Sequence, residues 1–364
     1  MAPCILTVAT GGFESARHLA ALPGGKRRGQ LHGHGFRASV FAELPEAWAS
    51  FPGGEVAALQ ARMQRVLEPL NDTLLNQVID QPTDTNIARW IDQNLALPGI
   101  HRLAVQSTAN QGVHLDRDGM ARIWRRYPFE AAHRLPNVPM GHQCGRMHGH
   151  GFQAVVHAAP SAGSRGRDID HDRLDEVWEP LHNILDHTCL NDVEGLGNPT
   201  SELIASWLWE RLKPTLPELS GIDLFETASS GASFDGRDYR IWKDFTLDSA
   251  VQLQRAPIGS RERAVHGHTF RLRLHLCAPI DTVMGWTVDF GDVKTLFEPV
   301  FRRLDHQPLH AIAELRDADT ASIAEWIYTT TQAHLPQLAA VELYETRGCG
   351  SVVTEKRMIP ALPV

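Results

Sequence analysis

Two hydrophobic patterns recur along this chain, and they predict short strands and one-sided helices in a fixed order. In residues 269–276, TFRLRLHL, Phe270, Leu272, Leu274 and Leu276 fall on one side and Arg271, Arg273 and His275 on the other. That period of two predicts a strand of a sheet that buries one face. His266 and His268, just before it, share the parity of the apolar side. Near residue 200 the pattern changes. Asn198-Pro199-Thr200 reads as a helix start, and Ile204, Trp207, Leu208 and Leu212 then lie on one helical stripe. A stripe of this kind predicts core packing. The order strand, strand, helix, helix, strand recurs, which predicts an α+β fold with antiparallel sheets and helices on one face.

The recurrence extends to particular residues. His-Gly-His occurs at 32–34, 148–150 and 266–268. About 36 residues later come LNDTLLN (70–76), LDHTCLN (185–191) and LDHQPLH (304–310). QPTDTNIARWI (81–91), NPTSELIASWL (198–208) and DADTASIAEWI (317–327) follow, and then VQST (105–108), FETA (225–228) and YETR (344–347). RIWRRYPFEAAHRL (122–135) also aligns with RIWKDFTLDSAVQL (240–253). Co-registered motifs at a fixed period indicate tandem units. Their boundaries are expected at 1–120, 121–237 and 238–364.

Composition narrows the functional classes. With 43% hydrophobic and 21% charged residues among 364, the chain has ordinary globular make-up. A net charge of −8 gives no electrostatic reason to expect nucleic-acid binding. No apolar run approaches the length of a membrane span. The first residues carry no basic stretch ahead of their apolar patch, so no secretory signal is expected. The five cysteines have no paired spacing, which suits a reducing, cytoplasmic setting.

The chemistry concentrates in residues 129–152, FEAAHRLPNVPMGHQCGRMHGHGF. On a strand, His148 and His150 point to one face, and His133 could complete a three-nitrogen site from a neighbouring strand. Three protein ligands with an open fourth position is the pattern of a catalytic zinc. An HxH pair alone is more often two ordinary histidines; His133, Cys144 and the recurrence of the motif strengthen the metal reading. Cys144 need not be a ligand. It could be a base or nucleophile beside the metal.

With these residues laid out, the middle unit resembles the 6-pyruvoyltetrahydropterin synthase family, and within it the 6-carboxytetrahydropterin-forming members. The resemblance runs from about Phe129 to Gly236, with weaker versions in the flanking units. Its markers are FEAAHRL, the Cys144–His150 spacing CxxxHGH, LDHxxLN at Leu185, NPTSE at Asn198 and the pair Glu226-Thr227. It implies the T-fold, with three units closing a pseudo-trimeric barrel inside one chain and two chains stacking as a homodimer. It also implies zinc on His133, His148 and His150. The implied substrate is 7,8-dihydroneopterin triphosphate, and the implied products are 6-carboxytetrahydropterin, acetaldehyde and triphosphate, feeding 7-deazaguanine (queuosine) synthesis. Cys144 would be the base, its pKa lowered by the cation. Asp186 and His187 would form a relay, and Glu226 with Thr227 would hold the pterin. Two alternatives stay open: triphosphate elimination alone, giving the 6-pyruvoyl product, or a pterin-binding protein without turnover.

The flanking units have lost complementary parts. Unit one keeps His18, His32 and His34, which could hold a second metal, although His18 is one residue closer to its HGH than His133 is. Arg28 stands in the place of Cys144, Asn71-Asp72 in that of the relay pair, and Gln106 in that of the glutamate. Unit three has Val251 and Glu262 where histidine and cysteine stood, yet it keeps Asp305, His306 and Glu345-Thr346. In the family the relay pair crosses a subunit boundary, so the partner of Cys144 could come from Asp305-His306 or from Asp186-His187.

Overall fold

Each repeat folds into nearly the same run of elements, and among the described residues the third lacks the short strand between its helices. In the first, β1 (Cys4–Arg17) and β2 (His32–Ala42) are followed by α1 (Glu55–Leu67), the short β3 (Thr73–Leu74), α2 (Asp84–Leu95), β4 (Ile100–Thr108) and β5 (Gln111–Asp116). In the second come β6 (Ala121–His133), β7 (His148–Ala158), α3 (His171–Leu185), β8 (Thr188–Cys189), α4 (Ser201–Leu212), β9 (Leu219–Thr227) and β10 (Ser230–Phe234). In the third come β11 (Tyr239–Val251), β12 (His266–Cys277), α5 (Phe290–Leu304), α6 (Thr320–Gln332), β13 (Leu338–Thr346) and β14 (Cys349–Thr354). The structure is a computed structural model that describes residues 3–19, 29–160, 170–315 and 317–355. Arg28 lies outside them. No helix among the described residues is long and apolar enough to cross a membrane.

The helices start where the sequence places their caps. The Thr200 side chain accepts from the Leu203 N–H, that of Thr83 from Asn86, and that of Asp319 from Ser322. Each bond satisfies an amide that the first helical turn leaves free.

The described residues form two compact units. One holds the chain up to Ala121, Asp244–Leu274, and the chain from Lys294 on. The other holds Arg122–Lys243 together with His275–Val293. A short piece of the third repeat therefore belongs with the middle repeat. In the first unit β1 pairs antiparallel with β2, β2 with β4, and β4 with β5. Its β1 also pairs with β14, Leu6 opposite Val352, so the first and third repeats meet edge to edge. Leu6, Val8, Phe41, Tyr344 and Val352 form a core cluster there. In the second unit β7 lies between β6 and β9, and β10 pairs with β9 and β11. Trp124, Val155, Phe225 and Trp242 form its core cluster, and Tyr127 of β6 stacks on Trp178 of α3 at 4.7 Å.

One pattern departs from expectation. The Arg271–Arg273–His275 side of β12 should face water, yet Arg273 is 6% and His275 0% exposed. Arg273 is satisfied instead by both oxygens of Asp244, at 2.6 and 2.9 Å. In the same unit the Tyr344 hydroxyl donates to Glu342 at 2.8 Å, also buried. The far side of this sheet is thus a second interior in which ionic side chains are paired, as buried charge requires.

Trp242→Ala removes a fully buried indole from the cluster behind the middle repeat. The expected loss is about 3–5 kcal/mol, read from the urea midpoint of the tryptophan signal of the second unit; a variant unfolding with wild-type midpoint would contradict this packing.

Candidate active site

The middle repeat gathers its histidines by strand register. His133, the last residue of β6, stands directly opposite His148, the first of β7. His150, two residues on, shares the face of His148, and the imidazole centroids lie 4.5–5.2 Å apart. The loop between the paired histidines is cinched by a Leu135 N–H bond to the Cys144 carbonyl at 2.8 Å, which seats Cys144 at the rim. His133 Nδ1 is bonded to the Pro199 carbonyl at 2.9 Å, and His148 Nδ1 to the Arg146 carbonyl at 2.8 Å. Each Nδ1 therefore carries the proton, and each Nε2 is left as a free lone pair. Nε2 of His133 and of His150 are buried without a hydrogen-bond partner.

Glu226, at the end of β9, closes the group. Its Oε1 lies 3.4 Å from His150 Nε2 and 3.9 Å from His133 Nε2, and its Oε2 accepts the Ser201 hydroxyl. One ligand atom from each of His133, His148, His150 and Glu226 falls within 4.8 Å of the others. Two orphaned buried imidazole nitrogens and a carboxylate converging on one point fit a divalent metal such as zinc. Burial holds His133 and His150 below the usual imidazole range, opposed by the Glu226 charge, so both are neutral and ligand-ready at pH 7. The thiol of Cys144 behaves otherwise. Burial first, then Glu226 and Asp289, push its pKa up. The lowering expected from sequence depends on the cation, while the side chains around this thiol act in the opposite direction.

Cys144, His148, His150, Glu226 and Thr227 line one cavity of about 560 Å³. Glu202 lines it too, and sequence reading passed it over as part of NPTSE. It is 2% exposed and accepts the Thr287 N–H at 2.8 Å and hydroxyl at 3.1 Å. Burial pushes its carboxyl up to about 7.

The Asp-His pairs are preformed but are not among the residues lining this cavity. Asp186 accepts the Glu130 N–H at 2.9 Å, His187 donates its N–H to the Glu130 carbonyl at 2.6 Å, and Asp186 Oδ2 lies 2.8 Å from His187 Nδ1. Asp305 and His306 repeat the arrangement on Asp248, with a carboxylate–imidazole distance of 2.9 Å. Asn71 and Asp72 repeat it on Glu14. The second residue of each pair has a positive φ, 52° at Asp72 and 56° at His187 and His306. Such a conformation is costly for a non-glycine residue, so the same turn is imposed three times by the strand it bonds to. Both imidazoles are exposed to solvent. His306 is pushed up by Asp305.

In the first repeat the three histidines that could hold a second metal are not drawn together as those of the middle repeat are. His18, His32 and His34 are not among the groups whose ligand atoms converge. Arg17, not His18, stands opposite His32, while His18 exchanges backbone bonds with the Asn76 side chain just as Arg134 does with Asn191. The Arg17 guanidinium, 3% exposed, donates to the Pro82 carbonyl at 2.9 Å and to Asp84 Oδ1 at 2.7 Å. Ser107 donates to Asp84 Oδ2 at 2.7 Å. Strand register also corrects the glutamate's counterpart. Gln106 opposes Arg37 as Phe225 opposes Gln153, which puts Ser107 in the place of Glu226. Hydroxyl and carboxylate have changed sides: Ser201–Glu226 in the middle repeat, Asp84–Ser107 in the first. A buried ion pair occupies the metal position.

The third repeat keeps the carboxylate. Val251, buried, ends β11 as His133 ends β6. Leu253 bonds the Glu262 carbonyl at 2.9 Å as Leu135 bonds that of Cys144. Burial pushes Glu345 up to about 7, with Asp319 and Glu262 adding to the rise.

The family model described as 6-pyruvoyl tetrahydropterin synthase matches residues 122–237 and 240–356. A 6-carboxy-5,6,7,8-tetrahydropterin synthase of Synechocystis sp. is 39% identical over 119 residues, 31% of this chain and 91% of that protein. A dihydroneopterin monophosphate aldolase of Pyrococcus furiosus is 31% identical over 118 residues, 32% of this chain and 97% of that protein. The solved 6-pyruvoyl tetrahydropterin synthase of Caenorhabditis elegans aligns with a TM-score of 0.29 and 23% identity, over 32% of this chain and 96% of that one.

The Arg17 substitution has a pH signature. Burial, then the Arg17 charge, lowers His34 to about 4. As pH falls below the ordinary imidazole value of about 6.5, the unfolded chain takes the proton first and stability is lost down to about pH 4. His34→Gln is expected to lessen the fall of melting temperature across that window; an unchanged slope would contradict it.

Proposed function

This chain belongs to the 6-pyruvoyl tetrahydropterin synthase family, and from that premise we propose that it converts 7,8-dihydroneopterin triphosphate to 6-carboxy-5,6,7,8-tetrahydropterin, releasing acetaldehyde and triphosphate. The observation that carries this reading is the meeting, in one cavity, of a thiol, a converging imidazole cluster and a buried-edge carboxylate. His133, His148 and His150 would hold zinc, which when bound supplies Lewis-acid polarisation of substrate hydroxyl oxygens.

The remaining roles belong to protein groups. Glu226 keeps lone pairs free beyond the one its Ser201 bond uses, and these match the amino and ring N–H donors of a pterin. Cys144, at the rim, is within the same cavity and removes a proton from a side-chain carbon bearing a hydroxyl. Burial, then Glu226 and Asp289, favour the protonated thiol at rest, so Cys144 must give up its proton before it can act as the base. An Asp-His pair, Asp186-His187 or Asp305-His306, would take that proton and return it at the end of the cycle. This assignment supports 7-deazaguanine synthesis as the pathway served.

Two sister chemistries keep the same site. Triphosphate elimination alone would give a 6-pyruvoyl product, and the aldolase relative is named for another reaction on a neopterin phosphate. The 39% identity to a 6-carboxytetrahydropterin synthase favours the first reading.

Zinc-loaded protein is expected to release acetaldehyde and 6-carboxytetrahydropterin from the triphosphate, followed by chromatography and an acetaldehyde assay. Cys144→Ala is expected to lose at least 100-fold in kcat, the scale of a missing general base, while still binding zinc. Formation of the 6-pyruvoyl compound, or wild-type turnover in the variant, would overturn the assignment.

A further inference from the structure

The third repeat reaches the middle repeat's cavity through the stretch 281–291. Asn137 Nδ2–H donates to the Val283 carbonyl at 2.6 Å, Asn198 Nδ2–H to that of Met284 at 2.7 Å, and the Thr200 hydroxyl to that of Gly285. Glu202 takes both the N–H and the hydroxyl of Thr287. Side chains of the helix start that bounds the site thus grip this strap along its length. A Cβ at Gly285, where φ is 76°, would meet Asn198 Nδ2 and a Leu203 methyl at 2.6 Å, so the strap passes as close as a backbone can.

The strap ends on Asp289. Its Oδ1 caps the first turn of α5, accepting from Gly291 at 2.7 Å and Asp292 at 3.2 Å. Its Oδ2 lies 3.6 Å from Nε2 of His142, a middle-repeat residue. The opposite nitrogen, His142 Nδ1, accepts the backbone N–H of Cys144 at 3.2 Å. An imidazole whose Nδ1 accepts carries its proton, when neutral, on Nε2. Here that proton faces the carboxylate. His142, Cys144 and Asp289 line the same cavity.

We propose that His142 and Asp289 form a dyad, assembled from two repeats, that positions Cys144 for its reaction. His142 holds the cysteine loop through one nitrogen, and the third repeat's aspartate sets the ring's tautomer and angle through the other. The proposal rests on the reading of this cavity as the pterin site. It also gives the third repeat a task that survives the loss of its own histidine and cysteine, since without its strap the middle cavity lacks the wall that carries Asp289.

The test is a double-mutant cycle on the full chain with His142→Ala, Asp289→Asn and the combination. Asparagine caps a helix about as well as aspartate, so Asp289→Asn spares α5. Two readouts are taken: kcat/KM on 7,8-dihydroneopterin triphosphate, and the pH profile of Cys144 alkylation by iodoacetamide, followed on the Cys144 peptide by mass spectrometry. Each single variant is expected to lose about 10–100-fold in kcat/KM, the scale of a misplaced reacting group. Each should also shift the alkylation profile, and the double should be no worse than the poorer single, because the two act as one unit. His142→Asn, which can still accept the Cys144 N–H but is too short to meet Asp289, should recover part of the loss. Additive losses, a wild-type Asp289→Asn, or full rescue by asparagine would overturn the dyad. If the wild type proves inactive on the triphosphate, alkylation alone decides: coupled effects uphold the dyad while the proposed reaction falls, and independent effects overturn it.

Discussion

The bond from His133 Nδ1 to the Pro199 carbonyl is the constraint from which the middle site follows. It joins the last residue of β6 to the residue just before the α4 cap, fixes which imidazole nitrogen is bare, and aims that nitrogen at Glu226. Cross-strand pairing with His148 does the rest, because two residues opposite each other in an antiparallel pair bring their side chains together without a long loop-closure cost at the site itself. Ser201 and Glu202, the first two residues of α4, then serve opposite sides: one braces Glu226, the other the strap.

The same carbonyl position shows how a repeat can lose a metal and stay folded. In the first repeat Pro82 accepts from Arg17 instead of from an imidazole. The guanidinium supplies the positive charge that a cation would bring, and Asp84, braced by Ser107, supplies the negative one. A buried charge without a partner is strongly destabilising, so these exchanges make sense only as a set. The third repeat took another route, filling the histidine's place with Val251 and leaving Glu345 raised by burial among other carboxylates. It also supplies the strap whose side chains line the middle cavity.

Local signals were legible in sequence where the determinant is local. Asn198-Pro199-Thr200 marks a helix start, and Thr200 caps it; His148-Gly149-His150 places two imidazoles on one face, and they share it. Register was less legible. Counting back from HGH pairs His18 with His133, and aligning VQST with FETA pairs Gln106 with Glu226. In the sheet both shift by one residue, which turns a side chain to the other face. Only the partner strand reveals that slip. The buried Arg273 was missed for a related reason: alternation tells which residues share a side, not whether that side is later covered. Glu202 and Asp289 were not legible as cavity residues because the stretch that bonds Glu202 and carries Asp289 lies about 85 residues downstream of the helix it touches.

In the proposed site three imidazoles of the middle repeat hold the metal and leave the thiol of Cys144 free beside it. X-ray absorption at the zinc edge, on protein loaded with one equivalent per chain, reads this directly. The expected result is a shell of nitrogen and oxygen scatterers near roughly 2.0–2.1 Å and no sulfur, unchanged in Cys144→Ala. A zinc–sulfur distance near about 2.3 Å that disappears in that variant would make Cys144 a ligand and contradict it.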